Sequence, residues 1–186
     1  MSLQVLRRRF TVEQYHRMAE AGIFADGDRV ELIEGEIIEM TPIGSRHAAW
    51  VDRLNDLLTS AIERRAIVRV QSPIWLGSQS EPQPDLAVLR RRADFYLDAH
   101  PQPGDVHLVI EVADTSADFD RAVKIPLYGR MGIPEAWLVE IARMSIDIFR
   151  KPSPSGYRES RQASRGERLT LETLPQLSLS VDDILG

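Results

Sequence analysis

The apolar positions of this chain change period several times, and each change marks an element. From Val12 to Ala21 the pattern predicts a helix. Thr11 is placed to cap it, Gln14 completes a Thr-x-x-Gln capping box, and Gly22 ends it. In the stretch RVELIEGEIIEM, Val30, Leu32, Ile37 and Met40 sit among charged residues and Glu34-Gly35 forms the break, which predicts a β-hairpin. From Ser45 to about Arg65 the spacing turns helical. Val51, Leu54, Leu58 and Ile62 fall on one face, Asp52, Asn55 and Glu63 on others, and Ser45 is the expected N-cap.

Strand-like runs follow. Ala66 to Leu76 predicts a strand kinked at Pro73, Asp85 to Leu89 a short one, and Val106 to Val112 the most apolar one. Asp118 to Met131 predicts a helix that stops at Gly132, with Pro134 just beyond. Ala136 to Ile141 and Ser145 to Phe149 are further strands, and the tail beyond the KPSPSG loop at 151–156 is β-rich. The order α, ββ, α, several β, α, ββ predicts an α/β (mixed α+β) architecture with a central mixed sheet flanked by helices.

Composition narrows the picture. At 186 residues the chain suits a single domain, 1–186, with a substantial core. Hydrophobic residues make up 43% and charged residues 27%, ordinary globular usage. Lys and Arg number 23 against 28 Asp and Glu, a net charge of −5, so bulk positive charge is excluded as the basis of nucleic-acid binding. With no cysteine, disulfides, thiolate metal sites and cysteine nucleophiles are excluded. No apolar run reaches the roughly 20 residues that span a bilayer. The start, MSLQVLRRRF, lacks the apolar stretch of a signal peptide, so the expectation is a cytoplasmic protein with no membrane role.

One residue resists these patterns. Glu111 lies inside the most apolar strand, where alternation puts Val106, Leu108, Ile110 and Val112 on one face and His107, Val109 and Glu111 on the other. A carboxylate there is costly unless a cation or hydrogen-bond donors satisfy it. The plain alternative is a solvated or salt-bridged residue near the strand end. Asp85 opens a second apolar strand directly after Pro84, a residue suited to strand starts. On neighbouring strands the two carboxylates meet at one point, and two hard oxygen ligands with room for water suit Mg²⁺ or Mn²⁺. In the next helix Asp120, Lys124 and Tyr128 are spaced i, i+4, i+8 and share a face. Lys124 then either points its ammonium at the Asp85–Glu111 site or forms only a solvated pair with Asp120.

These residues resemble the PD-(D/E)XK nuclease superfamily, and more closely the Uma-two family, a bacterial branch regarded as restriction endonucleases. The matching pieces are RVELIEGEIIEM, the helix with His47, QPDLAV, LVIEVADTSADFD, the run DRAVKIPLYGRMGIPEAWLVE and the β-rich tail, so the resemblance covers about Thr11 to Leu185. It implies a restriction-endonuclease-like core sheet of four or five strands and metal-dependent hydrolysis of phosphodiester bonds in DNA. It implies Asp85 and Glu111 as metal ligands, with the carbonyl of Val112 as a third. The superfamily motif has Lys two residues after the Glu, and this chain has Ala113 there. Lys124 is the substitute that the resemblance implies, from the following helix. Glu31 matches an N-terminal glutamate of the branch and is implied as a further catalytic residue. Glu34 and Glu36 are its neighbours, and hairpin register decides which of the three points inward. His47 is implied for phosphate contact or proton transfer; its ordinary reading is a hydrogen-bonded histidine.

Other residues weigh less. Gln71 is a weaker candidate, and Trp50, Trp75 and Trp137 read as core or interface aromatics. Basic clusters stand at Arg7–Arg9, Arg64–Arg65 and Arg90–Arg92; the last follows the Asp85 strand and would hold flanking phosphates if it lay on the site side. A homodimer suits the two-fold axis of duplex DNA. Two other readings stand beside the nuclease: a non-catalytic binding or assembly module with this fold, motivated by Ala113 and the acidic balance, and a metal-dependent hydrolase of another phosphate ester.

Overall fold

The computed structural model describes residues 7–186; the first six residues, part of the segment read above as lacking a signal peptide, lie outside the described residues. Helix α1 spans Val12–Glu20, and its capping box is complete: the Gln14 amide donates to the Thr11 hydroxyl at 3.2 Å and the Thr11 amide to the Gln14 side chain at 3.1 Å. Strands β1, Val30–Ile33, and β2, Glu36–Glu39, pair antiparallel about the Glu34-Gly35 turn. Alternation along β1 settles the register question. Leu32 packs with Val12 and Tyr15 beneath α1, so its neighbours Glu31 and Ile33 face the other way, toward the main body.

Helix α2, Ser45–Ile62, buries Val51, Leu54, Leu58 and Ile62 as its spacing requires. Gly44 rather than Ser45 occupies the N-cap position, and the helix ends at Ile62, short of Arg65, because Glu63 and Arg64 both adopt positive φ.

Six strands form the main sheet in the order β3-β4-β5-β6-β7-β8, one more than the larger core expected. They are β3 Ala66–Val70, β4 Leu86–Arg90, β5 Val106–Ala113, β6 Glu135–Glu140, β7 Ser145–Ser153 and β8 Gly156–Gln162. Every neighbouring pair is antiparallel except β5–β6. A parallel pair needs a crossover, which the chain makes through helix α3 (Ala117–Phe119), a π-helical turn (Asp120–Lys124) and helix α4 (Ile125–Arg130). A small hairpin, β9 Arg168–Thr170 and β10 Ser178–Ser180, and helix α5, Val181–Leu185, complete the chain.

The sheet is covered on both faces. One carries α2, α5 and the β9–β10 hairpin over Leu86, Val88, Leu108, Ile110 and Val112; the other carries the crossover helix and Ile33 over Ala87, Val109 and Leu138. Among the described residues no helix is long and apolar enough to cross a membrane.

Three local readings change. The predicted strand from Ala66 to Leu76 stops at Val70, since Gln71 turns into the left-handed region at φ 45°. Val106 does not share the face of Leu108. The β4–β5 register steps from Val88↔Leu108 to Leu89↔Val106, so His107 is an extra, bulged residue, and Val106 joins Val109 in the opposite cluster. The His107 ring instead meets the Thr173 hydroxyl at 2.8 Å. Trp137 is fully buried and Trp50 packs at the core edge, but Trp75 is 38% exposed.

Candidate active site

The last rung of the β4–β5 ladder on the site side is Leu86↔Ile110. Both side chains enter the α2 face of the core, so the residues just past that rung, Asp85 and Glu111, fall on the opposite face together. There the two acids line one cavity of about 470 Å³, together with Glu31, His47, Asp120 and Lys124. Its walls are the β1–β2 hairpin with the 40–44 connection on one side and 114–119 with the crossover helix on the other.

Asp85 is a hub. Its Oδ2 accepts from the Val112 amide at 2.9 Å and pairs with His47 Nε2 at 3.1 Å; its Oδ1 accepts from Gln71 Nε2 at 3.2 Å. The backbone break at Gln71 explains that last bond. By leaving the strand, Gln71 donates its own amide to the Asp85 carbonyl at 3.0 Å and swings its side chain onto the carboxylate. Burial pushes the Asp85 pKa up, but the hydrogen bond and charge of His47, with the Val112 amide and Gln71, outweigh it and hold the group below the ordinary carboxylate range. The bond to Asp85 in turn raises His47, against the opposing effect of its burial. Nδ1 of His47 is buried and has no hydrogen-bond partner among the described residues.

Glu111 is 3% exposed. Its Oε1 accepts from the buried Tyr128 hydroxyl and lies 2.9 Å from the Lys124 ammonium, which also stands 3.3 Å from Glu31 Oε2. Burial drives the Glu111 pKa up to about 8, against the pull of Lys124 and with added push from Asp120, Asp85 and Glu31. Burial opposes the charge on Lys124, but Glu111, Glu31 and Asp120 together overcome it and keep the ammonium protonated. Glu31 Oε2 further accepts from the Gln83 amide at 3.0 Å, which fixes the hairpin over the site. Asp120 accepts from the Ser116 hydroxyl at 2.6 Å, and burial raises its pKa.

All five side chains anticipated from the sequence, Asp85, Glu111, Lys124, Glu31 and His47, thus reach this cavity. Lys124 arrives from the π turn and its ammonium lies against Glu111, whereas Ala113, at the motif-lysine position, is buried in the apolar core. The solvated Asp120–Lys124 pair is overturned: both residues are buried, and the ammonium pairs with the two glutamates. Of Glu31, Glu34 and Glu36 only Glu31 lines the cavity; Glu34 pairs with Arg130 and Glu36 with Arg7. The Arg90–Arg92 cluster lies at the far end of β4 from Asp85, about 17 Å away at the rise of an extended strand. Arg90 and Arg92 are occupied there by the Gly104 carbonyl and Asp94. Ser116, Phe119 and Arg29 also line the cavity and Tyr128 bonds Glu111; of these four the sequence signals only Tyr128, through the i, i+4, i+8 spacing that puts it on the helix face of Lys124.

Among the described residues no three His, Asp or Glu side chains form a ready-made metal cage. The donor set still fits a hard divalent ion. Four carboxylates, Glu31, Asp85, Glu111 and Asp120, share one buried ammonium, an excess of negative charge that a cation would relieve. Two carboxylates and a carbonyl with several waters are the coordination such an ion accepts. Val112 donates its amide toward Asp85, and the carbonyl of a strand residue leaves on the same edge as its amide.

Comparison with known proteins agrees with this architecture. The crystal structure described as "a putative nuclease belonging to DUF820", from Anabaena variabilis, superposes with a TM-score of 0.66 over 85% of this chain and 90% of that one, at 16% identity. At that identity it speaks to fold alone. No curated protein matches the chain. The family Uma2, described as "Putative restriction endonuclease", matches residues 12–182. A match that long places this chain in the Uma2 family, within the restriction-endonuclease-like nuclease superfamily.

Proposed function

We propose that this protein is a metal-dependent endonuclease that hydrolyses phosphodiester bonds in DNA. The observation that carries the reading is the meeting of Asp85, Glu111 and Lys124 in one cavity, from three separate elements. Asp85, Glu111 and the Val112 carbonyl would hold Mg²⁺ or Mn²⁺. Such an ion, when bound, lowers the pKa of a coordinated water and offsets charge on the phosphate.

The remaining roles belong to the chain. The Lys124 ammonium, fixed between Glu111 and Glu31, orients the attacking water in line with the scissile bond and stabilises the charge that develops on the non-bridging oxygens. Glu31 holds that ammonium in place. His47 sets the orientation of Asp85, and its imidazole is a proton carrier within the cavity.

Mg²⁺ or Mn²⁺ is expected to support nicking of supercoiled plasmid. Asp85→Ala and Glu111→Ala should each reduce nicking at least about a hundred-fold, on the scale seen when catalytic electrostatics are removed, with the circular dichroism spectrum unchanged. Calorimetric titration should show divalent-ion binding that Asp85→Asn removes. Equal nicking by wild type and variants would assign the activity to a contaminant. No metal binding at all would leave the fold as a non-catalytic module.

A further inference from the structure

The acids and ammonium of the site sit on the floor of the cavity, with Glu31, Glu111 and Lys124 each less than 5% exposed, while the rim at Thr41 to Gly44 and at Thr115 and Ser116 is open. Above the floor the walls are not basic. Among the described residues Arg29 is the only arginine lining the cavity, whereas the hairpin side presents Ile38, Met40 and Ile43 and the crossover side presents the half-buried Phe119. Ile43 is 42% exposed, an apolar side chain at the mouth of a polar site.

Resting on the nuclease reading, we propose that the site takes an unpaired nucleotide strand: a phosphate descends to the floor, and an adjoining base lodges between Phe119 and the Ile38–Met40–Ile43 wall. Two features of the structure support this choice. First, paired DNA is a stiff rod whose bases are stacked inward. It offers its phosphates along a broad surface and cannot lower one onto buried groups between two walls without opening. Second, a duplex offers such a cleft only its backbone, which proteins grip with Lys and Arg, whereas an unpaired strand also offers base faces, and among the described residues the cavity walls carry one arginine against Glu39 and Asp114. An aromatic side chain such as Phe119 in the lining offers the flat face of a free base a stacking partner, whatever the base's identity. The basic cluster at Arg90–Arg92 lies at the other end of the sheet and does not alter the balance at this cavity.

The test uses one labelled oligonucleotide sequence in three forms: single strand, blunt duplex, and duplex with an unpaired tail. In Mn²⁺ the single strand and the tail should be cut at least about ten-fold faster than the blunt duplex. Phe119→Ala should lower cleavage of the single strand about ten-fold, the loss of one base–aromatic stack. It should leave calorimetric metal binding intact. Ile43→Ala, on the exposed rim, should weaken the single strand in the same direction without touching the core. Duplex cleavage at the rate of the single strand, with Asp85→Ala inactive, would overturn this inference and leave the nuclease reading standing. If no form is cut, the nuclease reading fails, and fluorescence anisotropy in Mn²⁺ still decides the inference. Tighter single-strand than duplex binding, lost in Phe119→Ala, supports it; equal or no binding overturns it.

Discussion

Lys124 concentrates the physics of the site in one atom. The residue is 4% exposed and its ammonium stands against Glu111 and Glu31, with Asp120 close enough to add its field. Removing one member of a buried ion pair costs more than the pair contributes, because the partner charges stay behind without water. Lys124→Met should therefore lower stability by about 3 kcal/mol in metal-free buffer, measured by urea denaturation. Adding Glu31→Gln to the same chain should recover part of that loss, since one stranded carboxylate is gone. A single variant as stable as wild type would mean that the acids take up protons without penalty, and that Lys124 is not their counter-charge. The same residue shows how far sequence reaches. Ala113 revealed that the motif lysine was missing, and the i, i+4, i+8 spacing of Asp120, Lys124 and Tyr128 indicated a helix face from which a replacement could come. That this face is buried, and not a solvated surface, depended on the packing of the crossover against the sheet.

At the scale of elements, the readable features were those encoded within a few residues. The capping box of α1, the turn of the β1–β2 hairpin and the apolar face of α2 all follow from spacing alone and all appear. Features set by distant partners did not show in the sequence. The π turn at 120–124, the bulge at His107 and the left-handed Gln71 each break a local rule, and two of the three act at the cavity. Gly129 is a fourth such case. In α4 it lies so close to the β7–β8 turn that an added Cβ would stand 2.5 Å from the Gly156 carbonyl carbon and 2.8 Å from the Tyr157 nitrogen. Those are backbone atoms, which cannot rotate aside, so Gly129→Ala must push α4 away from β8. The expected cost is about 1–3 kcal/mol, as for other overpacked sites, despite the better helix propensity of alanine. Because Tyr128 precedes Gly129 and holds Glu111, the shift should also weaken divalent-ion binding in a calorimetric titration. A variant at least as stable as wild type would show that the hairpin yields, and that the close approach is not a constraint on the site.

For the molecule as a whole, the cavity joins parts of the chain that are far apart in sequence: the hairpin through Glu31, α2 through His47, β4 through Asp85, β5 through Glu111 and the crossover through Lys124. Its excess carboxylates work against folding when no cation is present, since burial and mutual repulsion raise Glu111 and Asp120 while Lys124 answers only part of the charge. A ligand that binds the folded state alone stabilises it by mass action, by about 2.7 kcal/mol at a hundred-fold excess over the dissociation constant. For a chain of this size that corresponds to a rise in Tm of roughly 5–10 °C. Saturating Mn²⁺ added to protein stripped with a chelator should produce a rise of this size in wild type. Asp85→Asn should show little or none, because its amide can still meet Val112 but offers the ion no charge. Lys124→Met separates the two roles of positive charge here: its Tm in chelator should be the lowest of the three, and its gain on adding Mn²⁺ at least as large as that of wild type, since the ion then supplies charge that the ammonium no longer does. Equal gains in all three proteins would place the ion elsewhere on the surface, and no gain in any would remove the metal from the site.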